Sequence, residues 1–163
     1  MTTKPFDLAQ FLNQQHLCES LTIKEIQTLL DYTELVVYKK DDVITDIGEV
    51  GEAIYFVVSG ETALVYEERG NEMEIGRMTE GELVGEMSFF DRQPRLLRMR
   101  VATDDTQLMK LSRVMYDRLR VEHPYLAVVF LEHAIISLDH LVRRVSSDEM
   151  SLSRYVYGRG GKR

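Results

Sequence analysis

The residues best suited to bind a ligand lie in one short segment, where Gly85 and Glu86 are followed by Arg95, nine positions after the glutamate. A glycine lets a ligand approach the backbone closely, and the free N–H groups that open a short helical turn point toward an anion. The arginine supplies the opposite charge, and the glutamate can accept a hydrogen bond from a hydroxyl group. The segment therefore predicts a site for a ligand that carries both an anionic group and hydroxyls.

Changes in hydrophobic periodicity divide the chain into a helical, a strand-rich and a second helical part. Apolar residues at helical spacing predict a helix over 6–17, and the pattern Thr22-x-x-Glu25 predicts a capping box that begins the next helix. Between residues 35 and 111, short β-branched and aromatic runs predict strands over 35–38, 54–59, 62–66, 73–78, 97–102 and 108–111. Glycine turns between several of these runs favour antiparallel pairing and a sandwich or barrel.

Helical spacing returns at Ser112, which is a suitable N-cap for a helix that ends near Glu122. Pro124 is a favourable first position for a second helix, which we expect to run to about Glu149. The tail over 151–163 is rich in glycine and basic residues and is expected to be mobile.

The second of these helices has more apolar surface than a solvent-facing helix tolerates. Its steps of three and four residues predict a heptad seam at Leu131, Ala134, Leu138, Leu141 and Val145. Further apolar positions lie beside the seam: Val128, Ile135, Ile136 and Val142. We expect part of this surface to contact the β core and part to form a homodimer, the alternative being a helix packed wholly within its own domain.

The composition excludes several classes of protein. The 163 residues are 44% hydrophobic and 29% charged, which indicates one globular domain. No run is long enough to span a membrane and the N-terminus lacks the apolar region of a signal peptide, so we expect a cytoplasmic protein. The single Cys18 forms no intrachain disulfide. A net charge of −7 argues against binding to duplex nucleic acid.

The sequence also lacks the pattern of a metalloenzyme with a double-stranded β-helix. Such enzymes hold their metal with histidines on the strands, yet all four histidines lie outside the strand region, at His16, His123, His133 and His140. We therefore predict a protein that is not an enzyme and has neither a metal nor a cofactor.

The ordered motifs resemble those of the cyclic nucleotide-binding domain family. This family includes the ligand modules of the bacterial catabolite activator, of cyclic-nucleotide-dependent kinases and of gated channels. Five segments carry the resemblance, namely Asp42 to Ile44, Gly48 to Glu52, Ile54 to Glu61, Gly81 to Ser88 with Pro94-Arg95, and Glu122 to Pro124.

The resemblance implies a mainly β fold, an antiparallel β-roll of the double-stranded β-helix or jelly-roll type, with N-terminal helices and C-terminal hinge and dimerisation helices. It predicts a cyclic nucleotide-binding domain over 1–150, with the roll at about 35–111 and the C-terminal helices at about 112–149. A short helix inside the roll would cradle the cyclic phosphate.

The resemblance also implies roles for six residues toward cyclic AMP or cyclic GMP. Gly85 would allow close approach to the ribose, and Glu86 would accept its 2′-hydroxyl. Met87 and Ser88 would offer backbone N–H groups to the phosphate, and Arg95 would neutralise it. Leu96 would keep one backbone N–H contact with the phosphate. An alternative for Glu86 and Arg95 is a mutual ion pair that serves structure alone.

Three positions depart from the family pattern, in which a small or hydroxyl residue, then Ala, then Thr or Ser follow the arginine. Here these are Leu96, Leu97 and Arg98, and Leu97 brings a branched side chain toward the space of the ligand. Arg98 and Arg100 should share one side of a strand. They would form an outward, solvated pair, or Arg98 would be a second cation that selects a cyclic dinucleotide.

Two functions follow from these features. The first is a non-catalytic regulatory module that senses cyclic AMP or cyclic GMP and signals to an effector protein by contact, without binding DNA directly. The second is a degenerate form of the same fold that serves as a dimerisation module, or binds a cyclic dinucleotide.

Overall fold

A computed structural model of the chain describes the backbone of residues 19–147 and the side chains of residues 19–139. The helix predicted over 6–17, Cys18 and the basic tail over 151–163 lie outside the described residues.

The described elements follow the predicted order of helix, strands and helices. The helices are α1 (Ile23–Asp31), α2 (Glu86–Asp91), α3 (Arg113–Glu122) and α4 (Pro124–Ser147). The strands are β1 (Glu34–Tyr38), β2 (Val43–Thr45), β3 (Ala53–Ser59), β4 (Thr62–Glu68), β5 (Asn71–Met78), β6 (Leu83–Val84), β7 (Arg98–Val101) and β8 (Thr106–Ser112).

The strands form two four-stranded antiparallel sheets, which confirms the predicted β-roll. The orders are β1-β8-β3-β6 and β2-β7-β4-β5, so that strands distant in sequence lie side by side. Sequence periodicity missed β2 and β6 because they have only three and two residues, too few to alternate recognisably.

Strand β3 explains how the molecule builds two cores. Its seven residues AIYFVVS are apolar almost throughout, because both faces of the strand are covered. Tyr55 and Val57 point into the roll with Met99 and Leu108, whereas the alternate residues of β3 pack against the helices. The helical side of the core contains Ile54, Phe56, Ile26, Leu29, Leu119, Leu126 and Phe130.

The helix boundaries predicted from capping residues are confirmed. Thr22 Oγ1 accepts a hydrogen bond from the Glu25 backbone N–H at 3.2 Å, and the Glu25 carboxylate accepts one from the Thr22 N–H at 3.3 Å. Ser112 Oγ accepts from the Met115 N–H at 3.3 Å and begins α3, while α4 begins at Pro124 as expected.

The orientation of α4 shows which of its apolar positions meet the roll. The described seam positions face this chain's own roll, since Ala134 is 3% exposed and Leu131 packs against the core. Val128, Ile135 and Ile136, predicted to lie beside the seam, are the exposed ones, at 49%, 66% and 48%. The helix turns its seam inward because that stripe meets the apolar outer face of β3 and its neighbours. Any partner would therefore contact the adjacent stripe.

Two buried polar residues of α4 join it to the edge strand β6. The Ser137 hydroxyl donates to the Leu83 carbonyl at 3.3 Å, and His133 Nε2 lies 3.4 Å from the Gly81 carbonyl. As β6 is the last strand of its sheet, Ser137 supplies a partner for a carbonyl on its open edge, and His133 reaches a carbonyl in the turn just before it. They also anchor α4 to the segment that directly precedes Gly85.

Candidate ligand-binding site at Gly85 to Arg95

Helix α2 begins abruptly because Gly85 adopts a left-handed conformation, with φ of +87°. A Cβ atom at this position would also lie 3.3 Å from both Nη1 and Nη2 of Arg95. The glycine is thus required twice, for the turn that starts the helix and for the close approach of the guanidinium.

Glu86, the first residue of α2, is only 3% exposed. Burial raises the pKa of its carboxyl group to about 7, although its own backbone N–H and the nearby charge of Arg95 act in the opposite direction. The group therefore lies close to its titration midpoint at neutral pH, and a hydroxyl donor would stabilise its charged form.

The backbone of Arg95 is fixed by two hydrogen bonds to the turn that precedes β3. The Gly48 N–H donates to the Arg95 carbonyl and the Arg95 N–H donates to the Glu49 carbonyl, both at 2.8 Å. This pairing sets the position from which the Arg95 side chain reaches Gly85.

The guanidinium of Arg95 is largely unsatisfied. Nη1 is 3.5 Å from the Gly85 carbonyl, whereas Nε and Nη2 are buried and have no hydrogen-bond partner. Burial lowers the pKa of the guanidinium, opposed by the charges of Glu49 and Glu86. The ion-pair alternative is not supported, because no salt bridge joins Arg95 to Glu86 in the described part of the chain. A buried cation with two free donors is costly unless an anion completes it.

The other predicted site residues differ in their surroundings. Ser88 Oγ accepts from the Gly51 N–H at 2.7 Å and donates to the Gln93 carbonyl at 2.6 Å, so its hydroxyl is fully engaged and only its backbone N–H could serve a ligand. Met87 and Leu96 have side chains 59% and 69% exposed. Leu97 is half-buried.

Two residues important for this geometry were not predicted as site residues. A Cβ at Gly51 would lie 2.7 Å from the Phe89 nitrogen and 2.8 Å from Arg95 Nη2, so the absent side chain lets this turn pack on α2. Arg113 Nη2 donates to the Gly51 carbonyl at 2.6 Å and to the Phe89 carbonyl at 2.7 Å. Gly51 was recognisable in sequence as a turn glycine, but nothing local to Arg113 indicates its distant partners.

An open cleft of about 590 Å³ adjoins Arg95 on the side of β2 and β8. Its lining includes Thr45, Tyr55, Lys110, Ser112 and Arg113. Burial, with the neighbouring Tyr38, raises the pKa of Tyr55 to about 12, so this phenol remains a neutral donor. Arg95 therefore borders a cleft of a size that holds a small molecule, although Gly85, Glu86, Met87 and Ser88 are not part of its lining.

Arg98 and Arg100 lie on the outer side of β7, opposite the buried Met99 and Val101, as the outward interpretation predicted. Carboxylates pair with both arginines, so the interpretation of Arg98 as a free second cation is wrong. Arg98 contacts Asp46 at 2.8 Å, Glu67 at 2.7 Å and Glu72 at 2.7 Å, and its side chain is 16% exposed. Arg100 contacts Glu72 at 2.6 Å. We call these five side chains the Arg98 ion-pair cluster. The hydrogen bond from Arg98 lowers the pKa of Asp46, so this carboxylate is charged at neutral pH.

No group of three or more His, Cys, Asp or Glu side chains is placed to hold a metal ion among the residues that the structure describes. Within the same residues, no helix has the length and apolar character needed to cross a membrane.

Comparison with known proteins decides the family. The sequence profile of the cyclic nucleotide-binding domain matches residues 35–123, which include every part of the site described above. The chain belongs to the cyclic nucleotide-binding domain family. The match begins in β1 and ends at the junction of α3 and α4, so the family profile covers the entire roll.

Individual relatives agree with this membership. The chain is 31% identical to the Cyclic AMP receptor protein of Thermus thermophilus over 137 residues, 83% of this chain and 60% of that protein. It is 28% identical to the cAMP-dependent protein kinase regulatory subunit of Mycosarcoma maydis over 101 residues, 61% of this chain and 19% of that protein. The chain thus spans 60% or less of the length of these curated relatives.

Solved structures of the cyclic nucleotide-binding domain family have the same fold. The catabolite activator protein of Thermus thermophilus superimposes with a TM-score of 0.64 at 29% identity, covering 85% of this chain and 62% of that one. A cyclic nucleotide-binding domain from Methylobacillus flagellatus superimposes with a TM-score of 0.75 at 22% identity, covering 86% and 80%, which supports the fold alone.

Proposed function

We propose that this protein is a non-catalytic regulatory module that binds cyclic AMP or cyclic GMP in the cytoplasm and acts on another protein by contact. The observation that carries the proposal is Arg95, whose buried guanidinium has two nitrogen atoms without partners. A cyclic phosphate, which carries one negative charge, matches both the charge and the open donors of this group.

The roles of the remaining residues follow from their positions around Arg95. Gly85 lets the guanidinium lie against the start of α2. Glu86 accepts a ribose hydroxyl with its carboxylate, whose pKa burial raises to about 7. The backbone N–H groups of Met87, Ser88 and Leu96 complete the contacts with the phosphate. The hydroxyl of Ser88 takes no part, because two protein partners already occupy it.

A cyclic mononucleotide is favoured over a cyclic dinucleotide by the Arg98 ion-pair cluster. The dinucleotide hypothesis required Arg98 as a free second cation. Three carboxylates surround it instead, and the cluster as a whole carries one more negative than positive charge. A second phosphate would be repelled there.

We further propose that the protein is a homodimer formed through the helix predicted over 124–149. The exposed apolar stripe of α4, with Val128, Ile135 and Ile136, supports this assembly. The same stripe supports the second candidate function, a dimerising module that no longer binds a mononucleotide. Half-buried Leu97 favours that candidate, since its branched side chain lies only two residues after Arg95.

Thermal unfolding with nucleotide separates the two candidates. Cyclic AMP or cyclic GMP at 100 times its dissociation constant adds about 2.7 kcal/mol of stability, which raises the melting temperature by several degrees. Arg95→Ala should abolish this shift. Arg69→Ala, which removes an exposed arginine on the β4–β5 turn, should leave it intact. Circular dichroism checks that Arg95→Ala is folded.

The absence of a shift with either nucleotide at millimolar concentration would contradict the sensor function. If the wild type is nevertheless a stable dimer, the dimerising module remains; a stable monomer would exclude that candidate too.

A further inference from the structure

Arg98, the centre of the Arg98 ion-pair cluster, lies three residues after Arg95. Another member of the cluster, Asp46, is the first residue of the turn that fixes the backbone of Arg95. Asp46 Oδ1, which pairs with Arg98 Nε at 2.8 Å, also accepts a hydrogen bond from the Ile47 N–H at 2.7 Å. The Glu49 N–H donates to the Asp46 carbonyl at 3.3 Å, which closes a tight turn over residues 46–49. Arg98 thus holds the first residue of this turn from a different strand.

The same turn and the residues just beyond it are attached to the ligand-binding segment at three further points. Its Gly48 N–H and Glu49 carbonyl bond to both backbone groups of Arg95, each at 2.8 Å. Just beyond it, the Gly51 N–H donates to Ser88 Oγ at 2.7 Å. A displacement of the turn would therefore move Arg95 and the start of α2 together.

The geometry of Arg98 suits it to hold this turn. Each of its three guanidinium nitrogens faces a different carboxylate, Asp46 from the turn after β2, Glu67 from β4 and Glu72 from β5. A planar guanidinium can bridge three acceptors in fixed directions, which a lysine cannot do. If Arg98 were absent, the three carboxylates would repel one another, and the turn would lose its side-chain link to the β4–β5 hairpin, leaving only the backbone pairing of β2 with β7 and of β7 with β4.

We propose that Arg98 is a positioning residue, which holds the 46–49 turn through Asp46 and thereby fixes the orientation of Arg95 without itself contacting the ligand. This inference rests on the proposed binding of a cyclic nucleotide at Arg95. It assigns a role to the position at which this chain departs most in charge from the family pattern.

The first experiment compares cyclic AMP binding by Arg98→Gln and Arg100→Gln. Both changes remove one arginine from the same strand and cluster, but only Arg98 contacts the turn. We expect Arg98→Gln to raise the dissociation constant by about tenfold and Arg100→Gln to change it by less than about threefold, measured by calorimetry. Equal affinities of the two variants would overturn the inference.

Asp46→Asn weakens only the link between the turn and Arg98. It tests the same inference if Arg98→Gln fails to fold. The asparagine retains an oxygen that can accept from the Ile47 N–H, and Arg98 keeps Glu67 and Glu72. We expect the same loss of affinity as in Arg98→Gln, with no further loss in the double variant, because both changes break one connection. Additive losses would contradict the proposal.

Amide hydrogen exchange tests the inference without any ligand. The Gly48 and Arg95 N–H groups make the two bonds between the turn and the site, so they should exchange faster in Arg98→Gln and Asp46→Asn than in the wild type or Arg100→Gln. Faster exchange in these two variants, together with a wild type that binds neither cyclic AMP nor cyclic GMP, would contradict the proposed function but support the positioning role. Unchanged exchange with normal nucleotide binding would do the reverse.

Discussion

At Glu86, burial and charge act in opposite directions on one carboxyl group. Burial raises its pKa to about 7, while Arg95 favours the charged form. The group carries its full charge only above the neutral range, although the proposed role, accepting a ribose hydroxyl, is best served by a carboxylate. Nucleotide binding in the proposed mode would therefore be coupled to proton release from Glu86.

This raised pKa predicts a dependence of folding stability on pH. The folded value of about 7 lies above the ordinary value of 4.5, so the folded state binds the proton more tightly, and stability is lost as the pH rises through 7. Glu86→Gln removes this loss. Between pH 5 and pH 8, its free energy of unfolding should therefore rise relative to that of the wild type by on the order of 2 kcal/mol. Urea unfolding at both pH values measures the difference.

Glu80→Gln, which removes an exposed carboxylate from the loop before β6, is the matched control for this experiment. The prediction fails if Glu80→Gln and Glu86→Gln show the same change with pH.

Gly51 predicts a second effect at the scale of one residue. In Gly51→Ala the new methyl group would lie within 3.0 Å of Phe89 and Ser88 backbone atoms and of Arg95 Nη2, so the turn and α2 must separate. We expect a loss of about 1 to 3 kcal/mol in stability and weaker nucleotide binding. Gly76→Ala, whose methyl group would meet no atom within 4 Å, is the control. Equal melting temperatures of the two variants would show that the contact at Gly51 is unimportant.

At the scale of elements, α4 has two adjacent apolar stripes with different surroundings. One stripe covers the roll through Ala134 and Phe130 and holds β6 through His133 and Ser137. The other is exposed and apolar. A partner bound to the exposed stripe would contact the same helix that anchors the strand leading into Gly85, so assembly and ligand binding would share one rigid element.

The exposed stripe predicts the effect of Ile135→Glu on assembly. A glutamate at this position, where the isoleucine is 66% exposed, would place a charge in the proposed dimer interface without disturbing the core. Light scattering should then give the mass of a monomer. Ile23→Glu, a similar change at an exposed isoleucine of α1, should leave the mass of the dimer unchanged. If Ile135→Glu is still a dimer, the interface does not lie on this stripe.

At the scale of the whole molecule, the two cores are joined by β3, which contributes side chains to both. The site lies where the roll meets the helices, since α2 contacts β3 and the Phe89 ring packs against Tyr116 of α3 with centroids 5.4 Å apart. Ligand at Arg95 is thus close to both cores, which is why its binding should raise the melting temperature of the entire domain.

The overall charge predicts how the molecule behaves toward nucleic acid. With a net charge of −7, the chain should repel the phosphates of duplex DNA, as the sequence led us to expect. Fluorescence anisotropy of a labelled duplex at physiological salt should show no binding, with or without cyclic AMP. Binding that weakens steeply with added salt would contradict this prediction and indicate a basic surface.

Features set by neighbouring residues could be predicted from the sequence. Thr22 and Ser112 bond to backbone groups three residues away, so the helix starts at both positions were readable without the fold. The segment from Gly85 to Arg95 was likewise identifiable, because the conformation of Gly85 and the start of α2 depend on adjacent residues.

Features that join distant parts of the chain were decided only by the tertiary structure. Arg98 and Asp46 are 52 positions apart, and Arg113 reaches a carbonyl 62 positions away. The strand pattern could place Arg98 on the same side as Arg100, but not opposite Glu67 and Glu72, which depends on the pairing of β7 with β4 and of β4 with β5. The heptad seam of α4 was visible as a pattern, whereas its direction was fixed by which apolar stripe met the outer face of the roll. Hydrophobic spacing determines that a surface will be buried, and only the packed fold determines against what.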